Sequence, residues 1–114
     1  MVRTFDLTES SQYPSIASMG MNVISRKTID QFSRKHADAK GPLLAWYRET
    51  IHASWAGPAD IKERYPSASF LSNNIVIFNV KGNSYRLAVQ VAYNTKIVMI
   101  RWIGTHSEYD KQTF

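Results

Sequence analysis

The sequence predicts an α+β domain in which N-terminal helices pack on one face of a small antiparallel sheet. Apolar residues recur at helical spacing up to about residue 65, and from residue 75 onward they alternate with polar or small residues. The apolar stretches of the second half are joined by short turns, which favour antiparallel pairing because parallel strands need long crossovers. A chain of 114 residues, 44% of them hydrophobic, is enough for one compact core.

The first 20 residues show neither period, contain Pro14 and end in Gly20. We interpret residues 1–20 as an extension, either a flexible arm or an artefact of the cloned sequence, and place the folded domain at residues 21–114.

Two or three helices are predicted in the first half. Residues 21–25 are a candidate edge strand, and Ser25 is a candidate N-cap for the first helix, which carries Ile29, Phe32 and His36 at helical spacing. Pro42 fits the first turn of a second helix. The predicted buried face of that helix consists of Leu44, Tyr47, Ile51 and Trp55. Residues 60–66 are expected to form either one capped turn or a short helix that Pro66 ends.

Three strands are predicted at residues 75–80, 85–93 and 97–104. In the middle strand Tyr85, Leu87, Val89, Val91 and Tyr93 share an apolar face, and Arg86 lies on the opposite, polar side. In the third strand Ile97, Met99, Arg101 and Ile103 alternate with Val98, Ile100 and Trp102.

The charge balance favours an anionic partner. The net charge is +5, and residues 21–114 hold 13 basic against 7 acidic residues. A small basic domain of this kind is typical of nucleic-acid binding.

The absence of cysteine excludes disulfides and thiolate metal sites. We see no apolar run of the roughly 18–20 residues that a membrane span needs and no secretory signal, so we expect a cytoplasmic protein without a membrane partner.

The end of the last strand carries the first group of candidate functional residues. Thr105 and Glu108 fit a capping box, which predicts a short C-terminal helix with His106 at its first position. A helix start disfavours the imidazolium, so His106 is expected to be neutral and able to accept a proton. The free N–H groups of the first helical turn are expected to attract an anion. Tyr109 lies on the same side. The alternative is structural: a cap partner in Glu108, a solvated His106 and a packed Tyr109.

Arg86 and Arg101 each interrupt an apolar strand. Burying an unpaired guanidinium is costly, so each is expected to face solvent or a specific anion. The alternative is an ion pair with Glu63, Glu108 or Asp110. His36 and His52 lack partners at metal-binding spacing, so we interpret both as structural and expect no metal site.

Together these residues fit a phosphodiester site. The four candidates are Arg86, Arg101, His106 and Tyr109. Two guanidinium groups neutralise charge on phosphorus, a histidine moves a proton, and an aromatic ring stacks on a base. No metal or other cofactor is needed if the nucleophile is the 2′-OH of RNA.

The stretch "FNVKGNSYRLAVQVAYNTKIVMIRWIGTHSEYDK" closely resembles the HigB family of bacterial toxins within the RelE/ParE superfamily. The segments "MNVISRKTIDQF" and "PADIKERYPSASFL" follow the family's order, and the resemblance covers residues 21–112. It implies a RelE-like fold with a twisted sheet. It also implies a type II toxin that enters the ribosomal A site and cuts mRNA there by attack of a 2′-OH on the adjacent phosphate.

The resemblance also implies roles and partners. Arg86 and Arg101 would contact the scissile phosphate, His106 would act as general base or acid, and Tyr109 would position the base or the proton. Lys62, Lys81 and Asn83 would contact mRNA or ribosomal RNA. The partner would be a HigA-like helix-turn-helix antitoxin. The protein would contact operator DNA only through this antitoxin. The alternatives are a non-catalytic, ParE-like gyrase inhibitor and an RNA- or ribosome-binding module without catalysis.

Overall fold

Five strands form a single sheet in residues 20–114, the part of the chain that the computed structural model describes. The elements are β1 (Asn22–Ile24), α1 (Lys27–Lys35), α2 (Lys40–His52), α3 (Pro58–Arg64), β2 (Ser69–Leu71), β3 (Ile75–Val80), β4 (Tyr85–Ala92), β5 (Ile97–Thr105) and α4 (His106–Tyr109). Short 3₁₀ turns precede α2 and β3. The predicted α+β class is confirmed, whereas the predicted extension lies outside the described residues except for Gly20.

The strand order is β1-β5-β4-β3-β2. The hairpins β3–β4 and β4–β5 are antiparallel, as predicted. The additional strand β2 also pairs antiparallel with β3, and β1 pairs in parallel with β5. The sequence gives no indication of β2, because its three residues are all exposed and carry no burial pattern.

The helices cover one face of the sheet, and the core lies between them. Ile29 of α1, Leu43 of α2 and Ile61 of α3 are fully buried against this face. Phe78 of β3 lies at the centre, where the rings of Trp46 and Tyr65 approach it edge-on with centroids 5.6 and 5.0 Å away. Each such buried side chain contributes about 1.5–3 kcal/mol of hydrophobic stabilisation.

Two details of the helices differ from the prediction. The buried side chains of α2 are Leu43, Trp46 and Thr50. The predicted face was therefore shifted by one residue, because Thr50 hides its hydroxyl by donating to the Trp46 carbonyl at 2.7 Å. Ser25 does not cap α1: its φ is +71°, and only its backbone carbonyl accepts a bond, from the N–H of Thr28.

We call the side of the sheet away from α1, α2 and α3 the open face. It holds a second, smaller apolar cluster formed by Ile75, Ile77 and Ala88, against which Trp102 and Tyr109 pack. A β-bulge in β5 shapes this face: Ala88 pairs with Trp102 and Val89 with Ile100, which leaves Arg101 as an extra residue.

The bulge overturns the predicted alternation of the third strand. Beyond Arg101 the side chains change faces, so Trp102 and Gly104 lie on the open face while Ile103 packs toward the core. No helix within residues 20–114 is long and apolar enough to cross a membrane.

Candidate active site on the open face

The candidate site lies where the β3–β4 hairpin meets the end of β5 and the single turn of α4. Arg86 of β4 pairs across the sheet with Gly104 of β5, so its side chain emerges beside the start of α4. The N–H of His106 donates to the carbonyl of Ser84 at 3.1 Å and fastens α4 to the hairpin turn. The turn and the short helix therefore form one unit around Arg86.

Arg86 is buried although it is charged. Its side chain donates from Nη1 to the carbonyls of Asn83 and Tyr85, both at 3.2 Å, and from Nη2 to Nδ1 of His106 at 2.7 Å. Only 8% of the residue is exposed, so the expected solvent-facing position was wrong. No carboxylate within residues 20–114 forms an ion pair with it, which also removes the predicted structural alternative. Its contact with a specific anion stays a prediction.

The predicted capping box holds α4. Thr105 Oγ1 accepts from the N–H of Glu108 at 3.1 Å, and Glu108 Oε1 accepts from the N–H of Thr105 at 2.8 Å. The hydrogen bond from the Thr105 backbone lowers the pKa of the Glu108 carboxyl. The N–H groups of Thr105, His106 and Glu108 already have acceptors. An anion site at this helix start therefore has few free donors and stays a prediction.

Tyr109 lies over the buried guanidinium, with the Arg86 carbon 5.9 Å from the ring centroid. Its ring also packs with Trp102 and Phe114, at centroid distances of 6.4 and 6.1 Å. The sequence reasoning did not include these two neighbours. Gly104 was the available signal for Trp102, because a Cβ at this position would lie 2.2 Å from Trp102 Cζ2.

Arg101 does not join the other three candidates. It is exposed at the bulge and donates from Nη1 to Oε1 of Gln90 at 2.7 Å. Trp102 lies between Arg101 and the Arg86–Gly104 pair along the open face. The structure therefore brings together Arg86, His106 and Tyr109 and leaves Arg101 beside them on the same face.

The candidate RNA-binding residues lie in three different surroundings. Lys81 has a φ of +54° and pairs with Asp38 at 2.6 Å. This contact, followed by the hydrogen bond from the Tyr85 hydroxyl at 2.5 Å, lowers the pKa of Asp38. The side chain of Lys62 donates to the Ala68 carbonyl at 3.1 Å. The third candidate, Asn83, is exposed in the hairpin turn, and its carbonyl helps to hold Arg86.

The remaining histidines contribute little to a site. His36 stacks on Phe32 with a centroid distance of 4.4 Å and meets the edge of Tyr85, as a structural residue would. His52 is exposed in the last turn of α2. The described part of the chain contains no group of three or more His, Asp or Glu side chains arranged to hold a metal ion.

Comparison with known proteins places these residues in a family context. The family model HigB_toxin, described as a RelE-like toxic component of a toxin–antitoxin system, matches residues 39–112. The mRNA interferase HigB of Escherichia coli O6:H1 (strain CFT073) is 24% identical over 95 residues, or 82% of this chain and 92% of that protein. The mRNA interferase toxin HigB of Escherichia coli K12 is 29% identical over 93 residues, or 79% and 88%. Shigella flexneri has an mRNA interferase HigB with the same figures.

Proposed function

The chain belongs to the HigB family of RelE-like toxins from toxin–antitoxin systems, and from this premise we propose that it is an endoribonuclease that cuts mRNA. The names of the similar proteins from Escherichia coli and Shigella flexneri, each an mRNA interferase, support this activity. The matched segment, residues 39–112, includes every residue of the candidate site.

One observation carries the proposal: a buried guanidinium without a carboxylate partner touches an exposed histidine. Arg86 is 8% exposed and its described partners are two carbonyls and a ring nitrogen of His106, so no carboxylate compensates its charge within residues 20–114. An uncompensated buried cation is costly, and an incoming phosphate would supply the missing negative charge. A phosphodiester is thus the ligand that this site favours.

The proposed chemistry is an internal phosphoryl transfer. The 2′-oxygen of one nucleotide forms a bond to the adjacent phosphorus while the bond from phosphorus to the 5′-oxygen breaks. Arg86 supplies fixed positive charge under the phosphate and Arg101 adds charge along the open face. His106 and Tyr109 both contact Arg86, and His106 is exposed to solvent, so both would meet the reacting atoms of a bound RNA. The reaction needs no metal ion, because the nucleophile belongs to the RNA.

We further propose that cleavage occurs in the A site of the ribosome, in the cytoplasm. Lys62, Lys81 and Asn83 would contact mRNA or ribosomal RNA, in keeping with the net charge of +5. Lys81 is exposed in the hairpin turn beside Asn83, where its charge is shared with Asp38 at 2.6 Å. A helix-turn-helix antitoxin would bind the toxin and connect it to operator DNA.

Primer extension on a defined mRNA tests the activity. Purified toxin is incubated with the mRNA alone and with ribosomes programmed by it, and new RNA ends are mapped. Ends within the A-site codon only when ribosomes are present would support the full proposal. New ends on free RNA as well would support the proposed cleavage chemistry but would show that the ribosome is not an obligatory partner.

Two other outcomes would contradict the proposal. No new ends from a protein that still arrests growth would favour a ParE-like gyrase inhibitor, which a supercoiling assay would detect. Ribosome binding with no new ends, unaffected by substitution of His106, would indicate a binding module without catalysis.

A further inference from the structure

The contact between Arg86 and His106 fixes the protonation of the histidine ring. Nη2 of Arg86 lies 2.7 Å from Nδ1 of His106. A guanidinium group has only N–H donors and no acceptor, so Nδ1 must accept the hydrogen bond and carry no proton. An Nδ1 proton, whether in the imidazolium or in the other neutral tautomer, would face a guanidinium proton across this short distance.

A neutral ring in this state carries its proton on Nε2. No hydrogen bond to Nε2 is formed within the described part of the chain, and His106 is exposed. The ring therefore presents an N–H donor, and no lone pair, on the side that is open to a ligand.

The surroundings hold Arg86 firmly enough to impose this arrangement. Two carbonyls, of Asn83 and Tyr85, fix Nη1, and burial restricts the rest of the side chain. On the other side, the capping box and the bond from the His106 N–H to Ser84 fix the backbone of α4. A hydrogen bond between two groups that are each held in place selects one tautomer.

We propose that His106 acts as a neutral hydrogen-bond donor, through Nε2–H, to an oxygen of the scissile phosphate, and that Arg86 is the positioning residue that selects this tautomer. The inference rests on the proposed endoribonuclease function and assigns a role within it. It replaces the sequence-based expectation that His106 accepts a proton, because its only lone pair is bound to Arg86.

The same geometry speaks against His106 as the general acid. A neutral ring that lost its Nε2 proton would become an imidazolate anion, which is too basic to form readily. A neutral imidazole N–H can instead stabilise charge that develops on an oxygen, as an oxyanion-hole donor does. The 2′-OH then loses its proton to solvent water as its oxygen bonds to phosphorus, and the departing 5′-oxygen takes a proton from water.

Two amide substitutions separate a donor from a base. The amide nitrogen of glutamine falls near the position of Nε2, whereas that of asparagine falls near Nδ1. We expect His106→Gln to cleave within about tenfold of the wild-type rate. We expect His106→Asn and His106→Ala to lose about 10²–10³-fold, as removal of one oxyanion-hole donor does. Equal loss in all three variants would overturn the donor role, because an amide cannot serve as a base.

Nitrogen NMR of the histidine rings tests the tautomer without any cleavage. In uniformly ¹⁵N-labelled toxin at the pH of the cleavage assay, we expect His106 to show a protonated Nε2 and an unprotonated Nδ1. His52, exposed on α2, provides an internal reference in the same spectrum. In Arg86→Met we expect Nδ1-protonated forms of His106 to appear. A protonated Nδ1 in the wild type, or a ring that does not respond to Arg86→Met, would overturn the inference.

The two experiments also separate this inference from the proposed function. A wild-type protein that makes no new RNA ends would contradict the endoribonuclease function, and with it the donor role, even if NMR found the expected tautomer. A wild-type protein that cuts RNA but has a protonated Nδ1 would contradict only the inference.

Discussion

At the scale of single residues, Arg86 combines two properties that oppose each other. A buried charge without an ionic partner destabilises a fold, while in the proposed function the same charge would bind a phosphate. Such a conflict is typical of functional sites, where stability is often sacrificed for activity.

Replacement of Arg86 by methionine should therefore separate stability from activity. We expect the free energy of unfolding of Arg86→Met to change by less than about 1.5 kcal/mol, because relief of charge burial offsets the lost hydrogen bonds. Cleavage should fall by about 10²–10³-fold. Urea denaturation and primer extension measure the two effects.

Arg48→Met is the matched control, since Arg48 is exposed on α2 and has no ion pair in the described part of the chain. It should leave cleavage unchanged. A fall in the stability of Arg86→Met by several kcal/mol, or an equal loss of cleavage in both variants, would contradict this account of Arg86.

The sequence could not distinguish Arg86 from Arg101. Both interrupt apolar strands, and the sequence predicted the same surroundings for both. Their difference arises from neighbours that are distant in sequence: α4 and Tyr109 cover Arg86, whereas the bulge leaves Arg101 exposed beside Gln90. The contact of His106 could not be predicted either. Which ring nitrogen Arg86 binds is decided by tertiary structure, and no local sequence pattern indicates it.

At the scale of elements, α4 depends on its cap. A helix of four residues is not stable by itself, so the capping box and the bond to Ser84 must hold it in place. We expect Thr105→Ala to lower the free energy of unfolding by about 1 kcal/mol. Cleavage should also decrease, because His106 and Tyr109 would no longer be fixed over Arg86.

Ser107 provides the control for this prediction. It lies in the same turn, is exposed and has no side-chain hydrogen bond within residues 20–114, so Ser107→Ala should change neither quantity appreciably. Thr105→Ser should restore most of the loss, since a serine hydroxyl also caps. If Thr105→Ala and Ser107→Ala behaved alike in urea denaturation, the capping box would not be what holds α4.

The cap should also make part of the stability depend on pH. The Thr105 N–H lowers the pKa of Glu108 in the folded state, so the unfolded chain binds a proton at higher pH than the folded one. The stabilisation is therefore complete above the unfolded-state value of about 4.3 and is lost as the pH falls through the lower folded value.

Glu108→Gln removes this titration and keeps a side chain that can accept the cap hydrogen bond. We expect the difference in unfolding free energy between wild type and Glu108→Gln to be constant from pH 7 to about 5 and to shrink below about 4. Urea denaturation across that range measures it. A difference that stays the same at pH 3 and pH 7 would contradict the assignment.

The predictability of the elements followed the strength of their local signals. The three strands β3, β4 and β5 were predicted within one residue, because alternation and turn residues agree there. The buried face of α2 was predicted one residue out of place. Threonine counts as polar in a hydrophobicity pattern, but the hydroxyl of Thr50 is hydrogen-bonded within the helix. The parallel pairing of β1 with β5 joins distant parts of the chain and left no local signal.

At the scale of the whole molecule, we expect the net charge to govern affinity for the proposed RNA substrate. With a net charge of +5, RNA binding should weaken as the salt concentration increases. Binding releases counterions from the RNA, and that release becomes less favourable at high salt. A 2′-O-methylated RNA, which lacks the nucleophile, allows affinity to be measured without cleavage.

Lys81 provides a specific test of this surface. We expect Lys81→Asn to reduce the slope of log affinity against log salt by about 0.7, the value for one phosphate contact on a single strand. Asparagine tolerates the positive φ of this position, so the hairpin should remain intact. Lys27→Gln, on the exposed start of α1, should leave the slope unchanged, and equal slopes for both variants would remove Lys81 from the RNA-binding surface.

The bulge at Arg101 also restricts where this chain can gain or lose residues during evolution. Before the bulge, the odd-numbered side chains of β5 lie on the open face. After the bulge, the even-numbered side chains lie there. Deletion of Arg101 would only remove the bulge, so Trp102 would stay on the open face and Thr105 would stay toward the core. Insertion of one more residue after Arg101 would instead exchange the faces of residues 102–105 and turn Trp102 toward the core. Insertions of one residue should therefore be tolerated in the β4–β5 turn, at residues 93–96, but not within the strand that follows it.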